Sequence, residues 1–406
     1  SKSKCSIGVR TNVGGTESED CHLIFRELEI IVAHFAFCGR LVDACHCESG
    51  HINDTLFITM ERPGGQTKRF VLQRINHQVF KSPEAVMRNI RLITQHLRRK
   101  VIEAGGDPER EVINLVPTID GNDMYICPQG NYWRAYLFVE GARTYDAVEN
   151  PTHFRSAGEA FGRFQLLLSD FPAESLTETI PKFHDTPSRY QALMEAVRQD
   201  AVKRARDCKD EIRFAEERAS ITSTIVDLLE QKEIPLRVTH NDTKLNNVLI
   251  DDVTGKALCV LDLDTVMPGS ALYDFGDAIR FGANAAAEDE RDLSKVYLDL
   301  ELFRQFTRGY LSYARDFLTP RELELLPFSA LLITFELGMR FLTDHLNGDR
   351  YFRIHRLGHN LDRARAQFKL VLDMERRMDE MREIVEQEYA LTQSARAATP
   401  NRAAAR

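Results

Sequence analysis

Residues Arg237 to Asp264, RVTHNDTKLNNVLIDDVTGKALCVLDLD, constrain this chain more than any other stretch. Two apolar, β-branched runs, Val248 to Ile250 and Ala257 to Leu261, flank Asp251-Asp252-Val253-Thr254-Gly255, a polar turn that ends in glycine. The pattern predicts a short antiparallel hairpin. If Asp251 pairs with Lys256, counting back along both strands sets Asn247 opposite Val260, with Asp262 just past that end. The loop carrying His240 and Asp242 reaches the same end. A histidine, two carboxylates and an amide are therefore expected at one strand edge. Magnesium bridging two phosphates wants such a place: hard oxygen ligands, few of them from protein, the rest from water and substrate.

His-x-Asp-x-x-x-x-Asn, followed by Asp at the end of the next strand, is the arrangement that kinases use for phosphoryl transfer. Asp242 then receives the proton of the acceptor hydroxyl, and Asn247 and Asp262 hold metal. Lys244, two residues after the aspartate, is placed to meet charge on the transferred group. Histidine, aspartate and asparagine are common in loops, so the octet alone would also suit a polar loop before an ordinary hairpin. Asp262 at the required position is what makes the pattern discriminating.

Three segments carry a resemblance: His240-Asn241-Asp242-Thr243-Lys244-Leu245-Asn246-Asn247, Leu261-Asp262-Leu263-Asp264-Thr265, and Tyr273-Asp274-Phe275-Gly276-Asp277. Together they resemble the aminoglycoside and choline kinase-like phosphotransferase family. Within it, the wording is similar to that of the N-acetylhexosamine 1-kinases, over roughly Arg40 to Phe368. Protein kinases proper match less well, because no Asp-Phe-Gly follows the second strand and the Asp274-Phe275-Gly276 triplet sits in a helix-entry context. The resemblance implies an α+β, bilobal protein-kinase-like fold, with an antiparallel sheet in the N-lobe and a mainly helical C-lobe. It implies ATP and Mg2+ as cofactors and a small sugar as acceptor. It makes Asp274 an organiser that hydrogen-bonds the catalytic loop, and it carries sugar binding to Arg340 and Tyr351 beside Asp242 and Asp262. Asp264 stays a rival for the place of Asp262, since extended geometry puts both on one face.

The chain of 406 residues suits two lobes or two to three domains. A net charge of -8 and a pI near 5.9 argue against nucleic acid or acidic membranes as main partners. No apolar run is expected to span a membrane, and SKSKCSIGVR lacks a signal-peptide core, which points to the cytoplasm. The eight cysteines are read as reduced thiols. Cys45-His46-Cys47 has no second ligand pair at zinc-site spacing.

Along the chain, residues 1–20 are expected to be a mobile start, 21–137 the N-lobe, 138–390 the hinge and helical lobe, and 391–406 a disordered tail. Cys21 to Phe37 predicts a leading helix. Strands are expected over Arg40–Glu48, Asp54–Met60, Arg69–Ile75, Val112–Thr118, Asp123–Pro128 and Tyr132–Glu140, with a long helix over Ser82–Gly105. The turn Ser49-Gly50-His51-Ile52-Asn53 stands where a kinase covers the phosphates, which makes Asn53 and Asp54 candidate nucleotide contacts. Phe138-Val139-Glu140-Gly141 matches the hinge, with Phe138 and Glu140 near adenine. Gln73 stands where the family's third-strand lysine is aligned; it brings hydrogen bonds but no charge. Phosphate neutralisation then leans on magnesium, Arg74 or Lys244. Further helices are predicted over Ser156–Leu168, Ser188–Cys208, Asp210–Gln231, Leu293–Leu318, Pro320–Leu346 and Arg350 to about Gln387. Two other readings stay open: a kinase of this fold for choline, an aminoglycoside or another small alcohol or amine, and a nucleotide-binding pseudokinase.

Overall fold

A computed structural model describes residues 19–47, 52–148 and 150–397. The expected mobile start up to residue 18, most of the first hairpin turn (48–51) and residues 398–406 lie outside the described residues. The chain divides into two compact units, one ending at Gly141 and the other beginning at Ala142.

The first unit holds helix α1 (Glu19–Val32), strands β1 (Arg40–His46), β2 (Asp54–Glu61) and β3 (Thr67–Ile75), helix α2 (Pro83–Glu103), and strands β4 (Leu115–Val116), β5 (Tyr125–Ile126) and β6 (Tyr132–Leu137). The sheet is antiparallel in the order β1-β2-β3-β6-β4, with β5 also on β6. Alternation decides its faces. Leu56, Ile58, Met60, Phe70, Leu72, Trp133 and Ala135 turn to one side and form a core with Leu28, Ile31, Val32 and Phe35. The expected strands at 112–118 and 123–128 shrink to two-residue pairings, because both must share one edge of the short β6. The leading helix stops at Val32, five residues before the expected end, and Phe35 then bridges Thr118.

The second unit contains β7 (Ala142–Arg143), α3 (Pro151–Leu167), α4 (Thr186–Gln199), α5 (Lys209–Glu217), α6 (Thr224–Glu230), β8 (Arg237–Thr239), β9 (Val248–Asp251), β10 (Ala257–Val260), β11 (Met267–Gly269), α7 (Ala271–Gly282), α8 (Leu300–Ala314), α9 (Pro320–Leu346), α10 (His359–Arg376) and α11 (Met378–Ala397). Several long helices read from the sequence are broken. The one over Ser188–Cys208 ends where Asp200 turns left-handed, at φ +40°, and its carboxylate caps Ala205 N at 2.9 Å. The one from Arg350 begins only after Gly358, at φ +72°, and divides at Arg377. Asp210–Gln231 becomes α5 and α6 around a short turn, and Leu293–Leu318 becomes α8 behind the N-cap Asp299. The helix α11 runs through Ala397, into the stretch read as a tail.

Helix α9 matches its expected bounds, since Thr319 and Glu322 close a capping box. It also corrects the membrane expectation: its 27 residues are long and apolar enough to cross a bilayer, but 83% of the apolar window is buried inside the protein. It is the core helix, against which α4, α7 and α10 pack. At the crossing of α3 and α8, a Cβ on Gly158 would stand 2.4 Å from Phe306 O, and one on Gly309 would stand 2.1 Å from Arg155 O. Only glycine permits that approach, and it brings Gln165 of α3 and Tyr310 of α8 to one point beneath the loop that carries His240 and Asp242.

The last helix is fastened by Glu388, whose buried carboxylate takes Arg308 Nε at 2.7 Å and Arg304 NH1 at 3.0 Å. Burial pushes this carboxyl up, but the two guanidinium groups outweigh it and hold its pKa below the ordinary glutamate value. A depressed folded-state pKa contributes stability above the unfolded value and loses it as pH falls through the folded one. Glu388→Gln should therefore lower Tm at pH 7, with a gap to wild type that narrows below about pH 4. Thermal melts across that range check it. A gap independent of pH would rule out the ionised carboxylate as its source.

Candidate active site

The hairpin forms with a register one residue from the expected one. Asp251 N bonds to Lys256 O at 2.9 Å, as the turn requires. Ala257 faces Ile250, but Cys259 faces Leu249 and Val260 faces Val248. Leu258 is the extra residue of a bulge. Leu261, not Val260, therefore meets Asn247, donating its N–H to Asn247 O at 2.7 Å. The chain is also not extended beyond this point. Asp262 sits at φ +55°, ψ +65°, and Leu263–Thr265 make a single 3-10 turn. Asp262 and Asp264 consequently do not share a face: Asp262 is exposed, whereas Asp264 is 3% exposed. An exposed carboxylate can meet a cation; a buried one is withheld from it.

The loop that carries His240 and Asp242 hangs on two aspartates of α7. Asp274 accepts from His240 N at 2.9 Å, Asn241 N at 2.8 Å and Gln165 Nε2 at 2.7 Å. The Tyr310 hydroxyl donates in turn to Gln165 Oε1. Asp274 thus does hydrogen-bond the loop backbone, as the resemblance implies. Asp277 accepts from Thr243 N at 2.9 Å and pairs with Arg280 at 2.9 Å. Burial pushes the Asp277 carboxyl up, yet Arg280 and Lys244 beside it outweigh that and hold it below the ordinary carboxylate range. Asn241, at φ +65°, is left-handed like Asp262. Its amide donates to Thr265 O at 2.8 Å, which fixes the turn. His240 is fully buried; its Nε2 lies 2.8 Å from Leu261 O and its Nδ1 accepts from Asp242 N at 3.3 Å. Donor at Nε2 and acceptor at Nδ1 describe a neutral imidazole that ties Asp242 to the end of the hairpin.

Asp242, Lys244 and Asn247 are brought together. Lys244 Nζ is 2.7 Å from Asp242 Oδ1, and Asn247 Nδ2 donates to Asp242 O at 2.8 Å and to Oδ2 at 3.1 Å. Burial draws the Lys244 ammonium down, but Asp242 and Asp277 outweigh it, so its pKa lies above the ordinary lysine value. Lys244 is therefore a fixed cation at the carboxylate. Asn247 spends its N–H groups on Asp242, which leaves its Oδ1 as a hard oxygen ligand. With the Asp262 carboxylate next along the chain from Leu261, the donor set suits magnesium.

Arg340 and Tyr351 are also brought to one place. The Arg340 guanidinium stands 5.5 Å from the Phe183 ring, 5.6 Å from Phe352 and 6.0 Å from Tyr351. Among the described residues it makes no hydrogen bond or ion pair, which removes the buried salt bridge as its purpose. Sequence reasoning missed its neighbours. Glu336 is buried and held by His184 Nδ1 at 2.8 Å and Thr186 Oγ1 at 2.6 Å. Arg189 donates to Phe183 O at 2.9 Å; burial first, and Arg340 second, lower its pKa. No local pattern marks these residues, which lie on α4, the loop before it and α9. The Tyr351 loop is held by one carboxylate: Asp344 accepts from Arg350 N at 2.9 Å, Tyr351 N at 2.8 Å and Phe352 N at 2.9 Å.

In the first unit the candidates separate. Asn53 Oδ1 accepts from Asn76 N at 3.0 Å and closes the end of the hairpin. Asp54 is paired with His46 at 2.5 Å and with Arg74 at 3.0 Å. Arg74 lies opposite Trp133, on the core face of the sheet, and Gln73 lies opposite Arg134 on the other. That position removes Arg74 as a stand-in for the missing lysine. Glu140 pairs through its side chain with Arg69, and its carbonyl accepts from Arg110 NH1 at 2.8 Å. The Arg69 guanidinium lies 4.0 Å from the Phe138 ring.

Residues 43–306 match the profile of the phosphotransferase enzyme family. The chain belongs to this family. The matched range takes in the sheet strands and the hairpin, and so the positions of Gln73, Asp242, Asn247 and Asp262. Solved structures share the fold. An aminoglycoside phosphotransferase from Alicyclobacillus acidocaldarius is 13% identical, covering 93% of this chain and 99% of its own, with a TM-score of 0.53. A choline kinase from Cryptosporidium parvum Iowa II is 13% identical, covering 90% and 97%, with a TM-score of 0.50. This phosphotransferase thus has the kinase-like α+β fold, a sheet unit followed by a helical one.

Proposed function

We propose that this phosphotransferase transfers the γ-phosphoryl group of ATP to the anomeric hydroxyl of an N-acetylhexosamine, giving the sugar 1-phosphate. The cluster of Asp242, Lys244 and Asn247 supports phosphoryl transfer. Asp242 takes the acceptor proton, and Lys244 stands beside it to meet negative charge on the moving group. Asn247 and Asp262 would hold Mg2+, which supplies charge neutralisation for the phosphates. Little covalent work is left to the protein, so positioning and electrostatics carry the rate.

The acceptor reading rests chiefly on Arg340. A cation walled by three rings and, among the described residues, in no ion pair suits an oxygen-rich acceptor and repels a cationic one such as choline or an aminoglycoside. Phe183 and Phe352 offer flat apolar faces to a sugar ring, and Tyr351 adds a hydroxyl.

The test is an acceptor panel with ATP and magnesium: N-acetylglucosamine, N-acetylgalactosamine, their methyl glycosides blocked at carbon 1, choline and an aminoglycoside. Phosphorus–proton NMR coupling should locate the new phosphate on carbon 1, with no product from the blocked sugars. In the same assay Arg340→Ala should lower kcat/KM for sugar by about one to two decades, the scale of a charged hydrogen bond, at unchanged ATP affinity. A 6-phosphate, or preference for choline, would leave the family chemistry standing and refute the sugar 1-kinase reading. A wild type that turns over no acceptor would favour the pseudokinase.

A further inference from the structure

ATP brings several negative charges to its site, and the third strand of this chain meets them with a neutral residue, Gln73. Gln73 on β3 lies directly between Thr55 of β2 and Arg134 of β6. Directly opposed residues of antiparallel strands point to the same face. Leu56, Leu72 and Ala135, one position along, serve the core face. The row Thr55–Gln73–Arg134 therefore runs across three strands on the side away from that core.

The row is hydrogen-bonded along its length. Arg134 Nε donates to Gln73 Oε1 at 3.0 Å, and Gln73 Nε2 donates to Thr55 Oγ1 at 2.9 Å. A guanidinium only donates, so the amide can sit one way round: carbonyl toward Arg134, NH2 toward Thr55. One N–H of that NH2 is used on Thr55, and the second can serve a phosphate oxygen. Arg134 is 1% exposed; its NH1 lies 3.9 Å from Met87 Sδ of α2, and its guanidinium is 5.3 Å from the Tyr136 ring. An arginine this deeply buried, in the middle of the apolar run Tyr132-Trp133-Arg134-Ala135-Tyr136-Leu137, is a costly choice for mere packing. Its charge acts through a poorly screened interior rather than through water.

We propose that Arg134 is a positioning residue that supplies the positive charge of the nucleotide phosphate subsite from the neighbouring strand, with Gln73 as the group that touches phosphate. Arg134 polarises and orients the Gln73 amide, so the cation has moved one strand, about 5 Å, behind a neutral contact residue. This deepens the ATP-dependent reading and rests on it.

Relocating the charge tests the idea. Equilibrium binding of ATP and of adenosine is measured by calorimetry, without any acceptor, for wild type, Arg134→Met, Gln73→Lys and the double variant. Arg134→Met should weaken ATP binding about ten- to a hundredfold, the scale of a charge-assisted contact, and leave adenosine binding nearly unchanged. Gln73→Lys alone should also weaken ATP, because it sets a second cation against Arg134 and breaks their hydrogen bond. The double variant should recover to within about threefold of wild type, a reversal of sign expected only of directly coupled positions. A structural role for Arg134 would move adenosine and ATP together. Equal loss of both ligands, unchanged ATP binding in Arg134→Met, or a double variant no better than Arg134→Met would overturn the proposal. If Arg134→Met alone does not fold, the double variant decides: folded and ATP-binding supports the proposal, and unfolded overturns it. Failure of every sugar as acceptor leaves this test intact, whereas a wild type that binds no ATP sinks the donor reading and this inference together.

Discussion

Asp242→Asn should lower kcat by about two to four decades, the usual scale for a positioned acid–base group, with Tm close to wild type. The substitution keeps the shape of the side chain and its hydrogen-bond position against Asn247. It removes the carboxylate proposed to receive the acceptor proton, and with it the negative charge that faces Lys244 at 2.7 Å. Lys244 would keep Asp277 as a neighbouring charge, so the loop retains its electrostatic anchor. Nucleotide binding should change little, which separates chemistry from donor affinity. Single-turnover kinetics with a thermal melt on the same sample check the result. Near-wild-type turnover would remove Asp242 from the reaction.

Asp274→Asn should have a comparable effect on rate and, unlike Asp242→Asn, a clear effect on stability. The buried Asp274 carboxylate is the common acceptor for His240 N, Asn241 N and Gln165 Nε2. Burial pushes its pKa up, and its neighbours His240, Asn241 and Gln165 favour the charged form. An amide in its place points an NH2 at groups that only donate. Each buried donor left unsatisfied costs about 1–3 kcal/mol, so Tm should fall by several degrees. The loop should loosen, and kcat should fall by about two decades or more as Asp242 loses its position. Amide hydrogen exchange should speed up at His240 and Asn241 ahead of the rest of the chain. Unchanged exchange there, or full activity, would show that the loop does not depend on this carboxylate.

The kinase-like organisation was legible because its signals are local. The octet from His240 and the glycine-ended turn at Asp251 each lie within a few residues. Long-range features were not. The bulge at Leu258 depends on how β10 meets β9, so counting back from the turn misplaced Asn247 by one residue. The left-handed Asp262 looked like a strand residue, because alternation in Leu261-Asp262-Leu263-Asp264 continues the pattern of β10. Structure separates the two aspartates only after that strand has ended. Helix breaks at Asp200 and Gly358 were hidden in sequences with helical spacing of apolar residues on either side. Gln165 and Tyr310 reach Asp274 from elements far apart in sequence, and nothing near either residue announces it.

The three backbone N–H groups that converge on Asp344 have a consequence for how such an enzyme changes over generations. Asp344 also takes Asn360 Nδ2 at 2.9 Å, but it grips this loop through main chain alone and is indifferent to what the side chains at positions 350, 351 and 352 are. Mutations there can alter the wall around Arg340 without asking the loop to refold, so most of them avoid the stability cost that usually accompanies new specificity. Divergence in acceptor choice should accumulate at this loop while Asp344 stays fixed. A randomised library at Arg350, Tyr351 and Phe352 should accordingly return many folded variants with altered acceptor preference, a starting stock for selecting phosphotransferases with new acceptors.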